Sequence, residues 1–526
     1  MHPTITRAGR YTFLGCGSFL VLGVTLSIPA LIAIASAGAI LLAFAYIQAV
    51  PVARRARREK LEFAWWLERS HVQSGAVVPG VPFEVRCYLR NRGPRPIRVA
   101  DFRPELSSQQ VSLVPGPRAL QLNPRARVSF RFSMKSHTAG RLTLHGFALF
   151  LTNPLGLFHV RLYFPNPLGV RVLPRSGGFH SRNTRLATGV PTESARLALA
   201  RRRGSGTELH ELRDLLPGDP YRSIAWKASG RLGKWVVKEV EQEVQNTLWL
   251  VVDISGTMRH GEWGERPLDR AIEWAASQAD SVLKHGGQVG LITFDSRVVS
   301  VVDCGEGSSH RLRIYEALLD STEVTDADLT EEDDDAVAQI IAGHLRQQEG
   351  IALPRAAPKG SSLADMVATH LRAELIEESR RELSVDASSG DLLRAYCKSR
   401  GLALTHRAEP KAGSKAVALQ VALMRAAGRR REPALMHVVT DFATVRDPAP
   451  VIAAMKFLRG RHHRIEFSLP EGPPEQRFLN NIKAAHEALA YRQSERRRRT
   501  AYRLLSPLGA RVSVLPAIRV EGTPSS

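Results

Sequence analysis

A short apolar run near the middle of the chain restricts the fold more than any other feature. Residues Leu248–Val252 are all large and apolar, and Asp253 follows them directly. A run without polar alternation is typical of a strand buried on both faces of a parallel sheet. A helical pattern begins at about Leu268, and further apolar runs end at Asp295 and Asp441. The sequence therefore predicts an α/β domain with a doubly wound, mostly parallel sheet flanked by helices.

The end of this strand carries a set of oxygen ligands. Asp253, Ser255 and Thr257 alternate along the chain, so their side chains can converge on one point. The carboxyl ends of parallel strands face the crevice where open α/β sheets bind ligands. Hard oxygen ligands with one formal charge suit Mg²⁺, with Mn²⁺ or Ca²⁺ as alternatives. The competing interpretation, with about equal weight, is a polar strand end whose hydroxyls cap the next helix.

The N-terminal part predicts a membrane anchor. Residues Tyr11–Val50 include no Asp, Glu, Lys or Arg, and this stretch is about twice the roughly 20 residues that one crossing needs. Ser27–Pro29 is typical of a tight turn between two spans, which predicts a transmembrane hairpin within residues 1–58. Arginines flank the stretch on both sides: Arg7, Arg10, Arg54, Arg55, Arg57 and Arg58. These flanks place both ends, and the bulk of the chain, in the cytoplasm. The alternative is a signal peptide cleaved after Ala35–Ala37.

A small β domain follows the hairpin. Residues 59–69 are predicted to be a linker in which Trp65 and Trp66 lie at the membrane interface or pack on the next domain. From about 70 to 174 apolar and polar residues alternate, with turn signals between the segments. Val128, Phe130 and Phe132, for example, alternate with polar residues. This pattern predicts a small antiparallel β-sandwich.

Composition narrows the function only slightly. The net charge of +22 would suit nucleic acid or an anionic membrane surface, but the basic residues are spread over every segment. Nucleic-acid binding would depend on this charge alone, without an aromatic motif, and is not expected. The four cysteines lie far apart with no metal-binding spacing. Buried, reduced thiols are therefore expected, which suits a reducing compartment.

A longer motif, made of three segments in a fixed order, precedes the α/β domain. It consists of Arg202–Glu208, Leu212–Asp219 and Arg222–Ser229. These segments closely resemble the signature of the bacterial domain-of-unknown-function family 58, except that Leu215 stands where that family usually has Tyr. The β-rich region ending in Asn153–Phe158 is also similar to the family's architecture. The resemblance implies a membrane-bound protein, and the signature segment within 175–247 is expected to be structural.

The resemblance also bears on the metal site. The Asp253–Thr257 pattern resembles the metal-ion-dependent adhesion site of von Willebrand factor A domains, which implies such a domain over 248–520. In those domains an aspartate after a later strand joins the site, and Asp441 matches it. A hydroxyl from a Gly-rich loop completes the site, which implies Ser362, with Ser361 as the alternative. An insertion at about 305–415, with the acidic run Glu331–Asp335, exceeds a minimal domain of this type.

The expected function is therefore a metal-dependent protein-binding adaptor in the bacterial inner membrane, with several spans and no catalytic activity. A carboxylate from a partner would complete the coordination of Mg²⁺. The resemblance implies that the partner is a MoxR-type AAA+ ATPase or its client, in protein assembly or maturation. The alternatives are a structural envelope protein with a vestigial metal site and a hydrolase that uses metal-bound water at Asp253 and Asp441. The hydrolase would need a general base, which no motif supplies.

Overall fold

We describe the chain from a computed structural model. It covers residues 3–58, 61–67, 77–106, 111–113, 120–152, 155–175, 202–215, 221, 224–242, 247–351, 353, 362–374, 388–407, 414–429, 433–443, 445, 447–470 and 482–515. The chain divides into two compact units. The first contains Met1–Leu173 and Thr322–His406, and the second contains Pro174–Ser321 and Arg407–Ser526.

The first unit contains two apolar helices near its N-terminus, α1 (Arg7–Thr25) and α2 (Pro29–Arg58). They are joined by a turn in which Ser27 has a φ of 52°. The helices pack closely where glycines remove side chains: a Cβ on Gly23 would meet Ile32, and one on Gly38 would meet the Cys16 sulfur. By length and composition, Pro29–Pro51 is the one segment in the described part of the chain that is apolar enough to cross a membrane. This segment is a membrane span or part of a signal sequence.

Two antiparallel sheets follow and enclose one core. The first has the strand order β1 (Thr4–Ile5), β9 (Phe158–Val172), β8 (Gly140–Thr152), β4 (Ile97–Leu106) and β6 (Leu120–Leu122). The second has the order β2 (Leu61–Leu67), β3 (Pro82–Asn91), β7 (Arg127–Ser136) and β5 (Val111–Leu113). Phe102, Phe132 and Phe147 are buried in the shared core, because alternation along each strand directs every second side chain inward.

The linker predicted for residues 59–69 is wrong in its middle part. Residues Leu61–Leu67 form β2, which pairs with β3 along its whole length. Trp65 is buried in the core and its Nε1 donates to the Asn166 carbonyl oxygen at 2.7 Å. The two adjacent tryptophans hid the alternate burial of β2 in the sequence. Of the two positions proposed for Trp65, packing on the β domain is the one observed.

The middle of the predicted insertion belongs to the first unit. It contains α6 (Asp334–His344), a π-helical turn at Leu345–Glu349, α7 (Leu363–Glu374) and α8 (Ser389–Arg400). These elements share a small apolar core around Ile341 and Leu393. They contact the β domain, since the rings of His344 and His145 lie 4.8 Å apart. The insertion therefore extends the β domain, and it starts at about residue 322 rather than at 305.

The second unit is built on a six-stranded mixed sheet. Its strand order is β14 (Val298–Gly305), β13 (Gln288–Phe294), β12 (Thr247–Asp253), β15 (Leu435–Val439), β16 (Arg464–Pro470) and β17 (Arg511–Leu515). All neighbours are parallel except β13 and β14. The first strand predicted from sequence is thus a central strand, and all seven of its residues are buried.

Helices cover both faces of this sheet. They are α4 (Pro267–Lys284), α5 (Gly307–Asp320), α9 (Ser414–Gly428), α10 (Ala449–Gly460) and α11 (Ile482–Leu505). Trp249 and Val251 on β12 share a buried cluster with α9 and α10. On the other face, Trp274 of α4 packs against His437 of β15. Successive residues of a strand point to opposite faces, so both faces require apolar residues. This requirement explains the unbroken apolar run.

The signature segment forms a separate two-stranded ribbon in the second unit. Strand β10 (Arg202–Asp214) pairs antiparallel with β11 (Val236–Gln242). The short helix α3 (Trp226–Leu232) lies between them in sequence and ends at Gly233, whose φ of 65° is left-handed. Asp219 and Arg222 of the signature lie outside the described residues.

Candidate functional site

The predicted oxygen ligands meet at the carboxyl edge of the mixed sheet. Asp253 is the last residue of β12, Ser255 follows it, and Thr257 lies in a 3-10 turn, Gly256–Arg259. Asp441 follows the neighbouring parallel strand β15 two residues after it ends. Because parallel neighbours end at the same edge, side chains far apart in sequence come together there. Four of the five predicted ligands therefore share one site.

A lysine ammonium lies at the centre of these oxygens. Lys415, the second residue of α9, is 2% exposed. Its Nζ lies 2.6 Å from Asp253 Oδ2 and 2.6 Å from Asp441 Oδ1. It also donates to Ser255 Oγ at 3.0 Å and to Thr257 Oγ1 at 3.2 Å. We call these five residues the Lys415 cluster. Its distances are those of charge-assisted hydrogen bonds.

Hydrogen bonds around the cluster fix both carboxylates. Thr440 Oγ1 donates to Asp253 Oδ2 at 2.6 Å, and the Ser255 backbone N–H donates to Asp253 Oδ1 at 3.0 Å. The Ala443 N–H donates to Asp441 Oδ1 at 2.9 Å. The two hydroxyls of Ser255 and Thr257 lie 3.1 Å apart. Buried carboxylates are stable only with such partners, and both of these have them.

The electrostatics of the cluster favour its charged form. Burial by itself lowers the pKa of Lys415, but the carboxylates of Asp253 and Asp441 outweigh burial and raise it above its usual value. Burial likewise raises the pKa of Asp441, but the Lys415 ammonium outweighs burial and lowers it. Oppositely charged neighbours favour ionisation. Lys415 is therefore a cation at neutral pH.

A third carboxylate lies at the same edge of the sheet. Asp295 follows β13 and is buried. Burial raises its pKa to about 6, and the nearby negative charge of Asp253 adds to this shift. Arg259 provides an opposing positive charge, and it donates to the carbonyl oxygens of Ile254 and Ser321 at 3.1 and 2.7 Å. Arg497 of α11 lies 3.6 Å from Asp441 Oδ2 and places a positive charge beside that carboxylate.

Ser362, the fifth predicted ligand, belongs to the first unit. Its Oγ donates to Asp335 Oδ1 at 2.7 Å, and the same oxygen accepts from the Ala364 N–H at 2.9 Å. These bonds fix the start of α7 in the first unit, as a hydroxyl near a helix N-terminus commonly does. Its hydroxyl is therefore engaged at the start of this helix, and the assignment of Ser362 as the loop ligand stays a prediction. The alternative, Ser361, lies outside the described residues.

The residues at this position do not fit a divalent cation. Mg²⁺ requires oxygen ligands at about 2.0–2.1 Å in a near-octahedral arrangement, and Ca²⁺ requires six to eight at about 2.3–2.6 Å. Here Lys415 Nζ lies within 3.2 Å of all four oxygens, so a second cation would meet the ammonium. Asp253 and Ser255 are both 0% exposed, so an outside ligand has no direct access to these two side chains.

A second polar group in the sheet, Glu466, His437 and Ser468, has the contacts of a hydrolytic triad but is closed to solvent. His437 Nε2 lies 2.7 Å from Ser468 Oγ, and His437 Nδ1 lies 3.2 Å from Glu466 Oε2. All three side chains are buried, and the Trp274 ring lies 4.1 Å from the His437 ring. Burial lowers the pKa of His437. A nucleophile needs access to substrate, so this group stabilises the interior instead.

Sequence reasoning missed both Lys415 and Asp295. One signal for Lys415 was present: Ala418, Leu419 and Ala422 are buried on the same face of α9, three, four and seven residues further on. A lysine in the apolar stripe of a helix is unusual. For Asp295 the signal was an acidic residue directly after the apolar run of β13.

The fold and the cluster define a chain with an N-terminal apolar helix, antiparallel β-sheets and a mixed α/β unit with a closed polar cluster. Residues 211–353 match the model of the family described as "Protein of unknown function DUF58", which supports membership of that family. No curated protein matched the chain.

Three solved structures match the chain at low similarity. A FixG-related protein from Vibrio parahaemolyticus matches with 12% identity and a TM-score of 0.15, covering 21% of this chain and 95% of that one. An apo PmoF2 PCuAC domain has 16% identity and a TM-score of 0.12, covering 22% and 90%. Native alpha-2-macroglobulin from Escherichia coli has 11% identity and a TM-score of 0.17, covering 85% and 60%.

Proposed function

We propose that the chain is a membrane-anchored protein-binding module without catalytic activity. The observation that carries this proposal is the α1–α2 hairpin, whose apolar side chains are widely exposed. Tyr11 is 75% exposed and Ile40 is 70% exposed, and other large apolar residues on both helices are similar. Such a surface is unfavourable in water but suits lipid. Arg7 and Arg10 on one side and the arginines after Val50 on the other favour cytoplasmic ends.

We further propose that the mixed sheet is a von Willebrand factor A-like domain and the recognition part of the molecule. Its central parallel strands and single antiparallel edge strand β14 support this assignment. The convergence of Asp253, Ser255, Thr257 and Asp441 supports it as well. The carboxyl edge of such a sheet is the ordinary position for a ligand or partner.

The partner class follows from the family resemblance. Proteins of this architecture resemble partners of MoxR-type AAA+ ATPases in protein assembly or maturation, so we propose such an ATPase, or its client, as the partner here. Catalysis is not part of the proposal, because most side chains in the two arrangements of catalytic residue types described above are buried. These are the Lys415 cluster and the group around His437.

The test is co-purification of the full chain, in mild detergent, with a co-expressed MoxR-type ATPase. Two exposed histidines give a matched pair of variants. His260 follows the turn at the carboxyl edge of the sheet, and His285 lies after α4, just before the amino end of β13. We expect His260→Glu to weaken capture and His285→Glu to leave it unchanged. Equal capture by both variants would contradict recognition at the carboxyl edge.

The closed state of the Lys415 cluster favours a second candidate, a structural envelope protein with a vestigial metal site. Such a protein would need no ATPase partner. Failure of the wild-type chain to capture any co-expressed ATPase, while the protein remains folded and in the membrane fraction, would favour this candidate over an adaptor.

A further inference from the structure

We infer that the ammonium of Lys415 permanently occupies the place where a divalent cation would bind, so that the carboxyl edge of the sheet is held together without metal. This inference concerns the chemistry of the cluster alone and does not depend on the identity of a partner. It replaces the expectation of Mg²⁺ that the pattern Asp253, Ser255 and Thr257 raised.

The distances around Lys415 Nζ support this inference. A cation that organises oxygens from several segments must lie within bonding distance of all of them. Lys415 Nζ contacts two carboxylates and two hydroxyls at 2.6 to 3.2 Å. They belong to two separate parts of the chain, Asp253–Thr257 and Asp441, and the lysine comes from a third. An ammonium has three hydrogens, so the two hydroxyls of Ser255 and Thr257, themselves 3.1 Å apart, share the third direction.

The charges of the cluster support the inference as well. Asp253 and Asp441 bring two negative charges, and the Lys415 ammonium compensates one of them. Arg497, 3.6 Å from Asp441 Oδ2, provides a second positive charge at the edge of the cluster. A buried pair of carboxylates without a cation would repel strongly. Lys415 and Arg497 together balance the charges of Asp253 and Asp441, so these two carboxylates require no further cation.

The attachment of the cation to the chain has two consequences. The ammonium is fixed by α9 and cannot dissociate, so the cluster is insensitive to chelators and to the supply of metal. It also leaves no coordination position for a partner's carboxylate, since Lys415 is 2% exposed and Asp441 10%. Recognition at this edge must therefore use exposed residues around the cluster, and it must be independent of divalent cations.

The experiment measures binding of Mn²⁺, a paramagnetic stand-in for Mg²⁺, to the full chain in detergent by electron paramagnetic resonance. We expect the wild type to bind no Mn²⁺ at this site at millimolar concentration. We expect Lys415→Thr, which replaces the ammonium by a neutral hydroxyl, to bind one equivalent. Asp253→Asn added to Lys415→Thr should remove that binding, and Lys456→Thr, at an exposed lysine of α10, should behave like the wild type.

Two results would overturn the inference. One is stoichiometric Mn²⁺ binding by the wild type that Asp253→Asn abolishes, because the site would then accept metal despite the lysine. The other is a folded Lys415→Thr protein that binds no Mn²⁺, because the oxygens would then not form a cation site. If Lys415→Thr does not fold, the wild-type titration, which needs no Lys415 variant, still decides between ammonium and metal.

Discussion

At the scale of single residues, the Lys415 cluster shows how a buried charge is made stable. Removing an ammonium from water is costly unless its hydrogens find acceptors and its charge finds a partner. Lys415 has two carboxylates at 2.6 Å and two hydroxyl acceptors. Both carboxylates therefore depend on the one ammonium, and removal of Lys415 leaves two buried carboxylates without their shared cation.

The first prediction at this scale concerns Lys415→Met. Methionine keeps much of the length of lysine but removes the charge, so Asp253 and Asp441 would repel each other inside the protein. We expect a loss of about 3–5 kcal/mol in the free energy of unfolding. Guanidinium denaturation in detergent, followed by tryptophan fluorescence, measures it. Lys456→Met, at an exposed position, should change the free energy by less than about 0.5 kcal/mol. Equal effects of both variants would contradict the pairing.

The second residue-scale prediction concerns pH and Glu273. This side chain lies on α4, is buried, and accepts from the Arg175 N–H at 2.8 Å. Burial raises its pKa from 4.5 to about 7. The folded state therefore binds more protons than the unfolded state between these values, and stability falls as pH rises from about 4.5 through 7.

Glu273→Gln should remove this dependence while its amide oxygen still accepts from Arg175. At pH 8 we expect the variant to be more stable than the wild type by up to about 3 kcal/mol, and at pH 4 the two should agree. Glu265→Gln, at an exposed position, serves as the control. Parallel stability profiles of wild type and Glu273→Gln over this pH range would refute the expectation. The same denaturation measurement at several pH values decides it.

The positions of the site residues could be predicted only in part. Asp253, Ser255, Thr257 and Asp441 meet as expected because strand ends are visible in sequence as apolar runs. Lys415 was not predicted, because a lysine is rarely buried. The local sequence does not show which distant segment packs against the end of a strand, since that depends on the path of the whole chain.

At the scale of elements, the apolar run of β12 and the helix after it were predicted nearly to the residue. Long patterns with one clear period give reliable elements. The strand β2 was not recognised, because two adjacent tryptophans disguise an alternation in which only Trp65 turns inward. The insertion was recognised, but its packing against the β domain involves contacts between residues distant in sequence, such as His145 and His344.

An element-scale prediction tests the α1–α2 hairpin. A Cβ at position 38 would contact the Cys16 sulfur, so Gly38→Cys should form a disulfide with Cys16 when an oxidant is added. Ile40→Cys, on an exposed face of α2, should not. Protection of the thiols from a maleimide reagent measures the bond. Similar protection in both variants would contradict the observed pairing of the helices.

At the scale of the whole molecule, the α1–α2 hairpin determines where the protein is located. If the hairpin is an anchor rather than a cleaved signal, the membrane form of the protein keeps the residues before Ala37. Mass spectrometry of protein extracted from membranes should find peptides from Thr6–Arg10. A mature N-terminus just after Ala37 would instead identify a signal sequence and would reverse the proposed cytoplasmic location.

The most direct measurement of the central claim is the thermal unfolding midpoint of the wild-type chain in detergent, with EDTA and with excess Mg²⁺. A ligand that binds only the folded state raises the midpoint. Because Lys415 already provides the cation, we expect equal midpoints in both conditions for wild type and for Asp253→Asn, with the variant lower than wild type in each. A midpoint that Mg²⁺ raises by several degrees in the wild type, but not in Asp253→Asn, would contradict the claim that an ammonium replaces the metal.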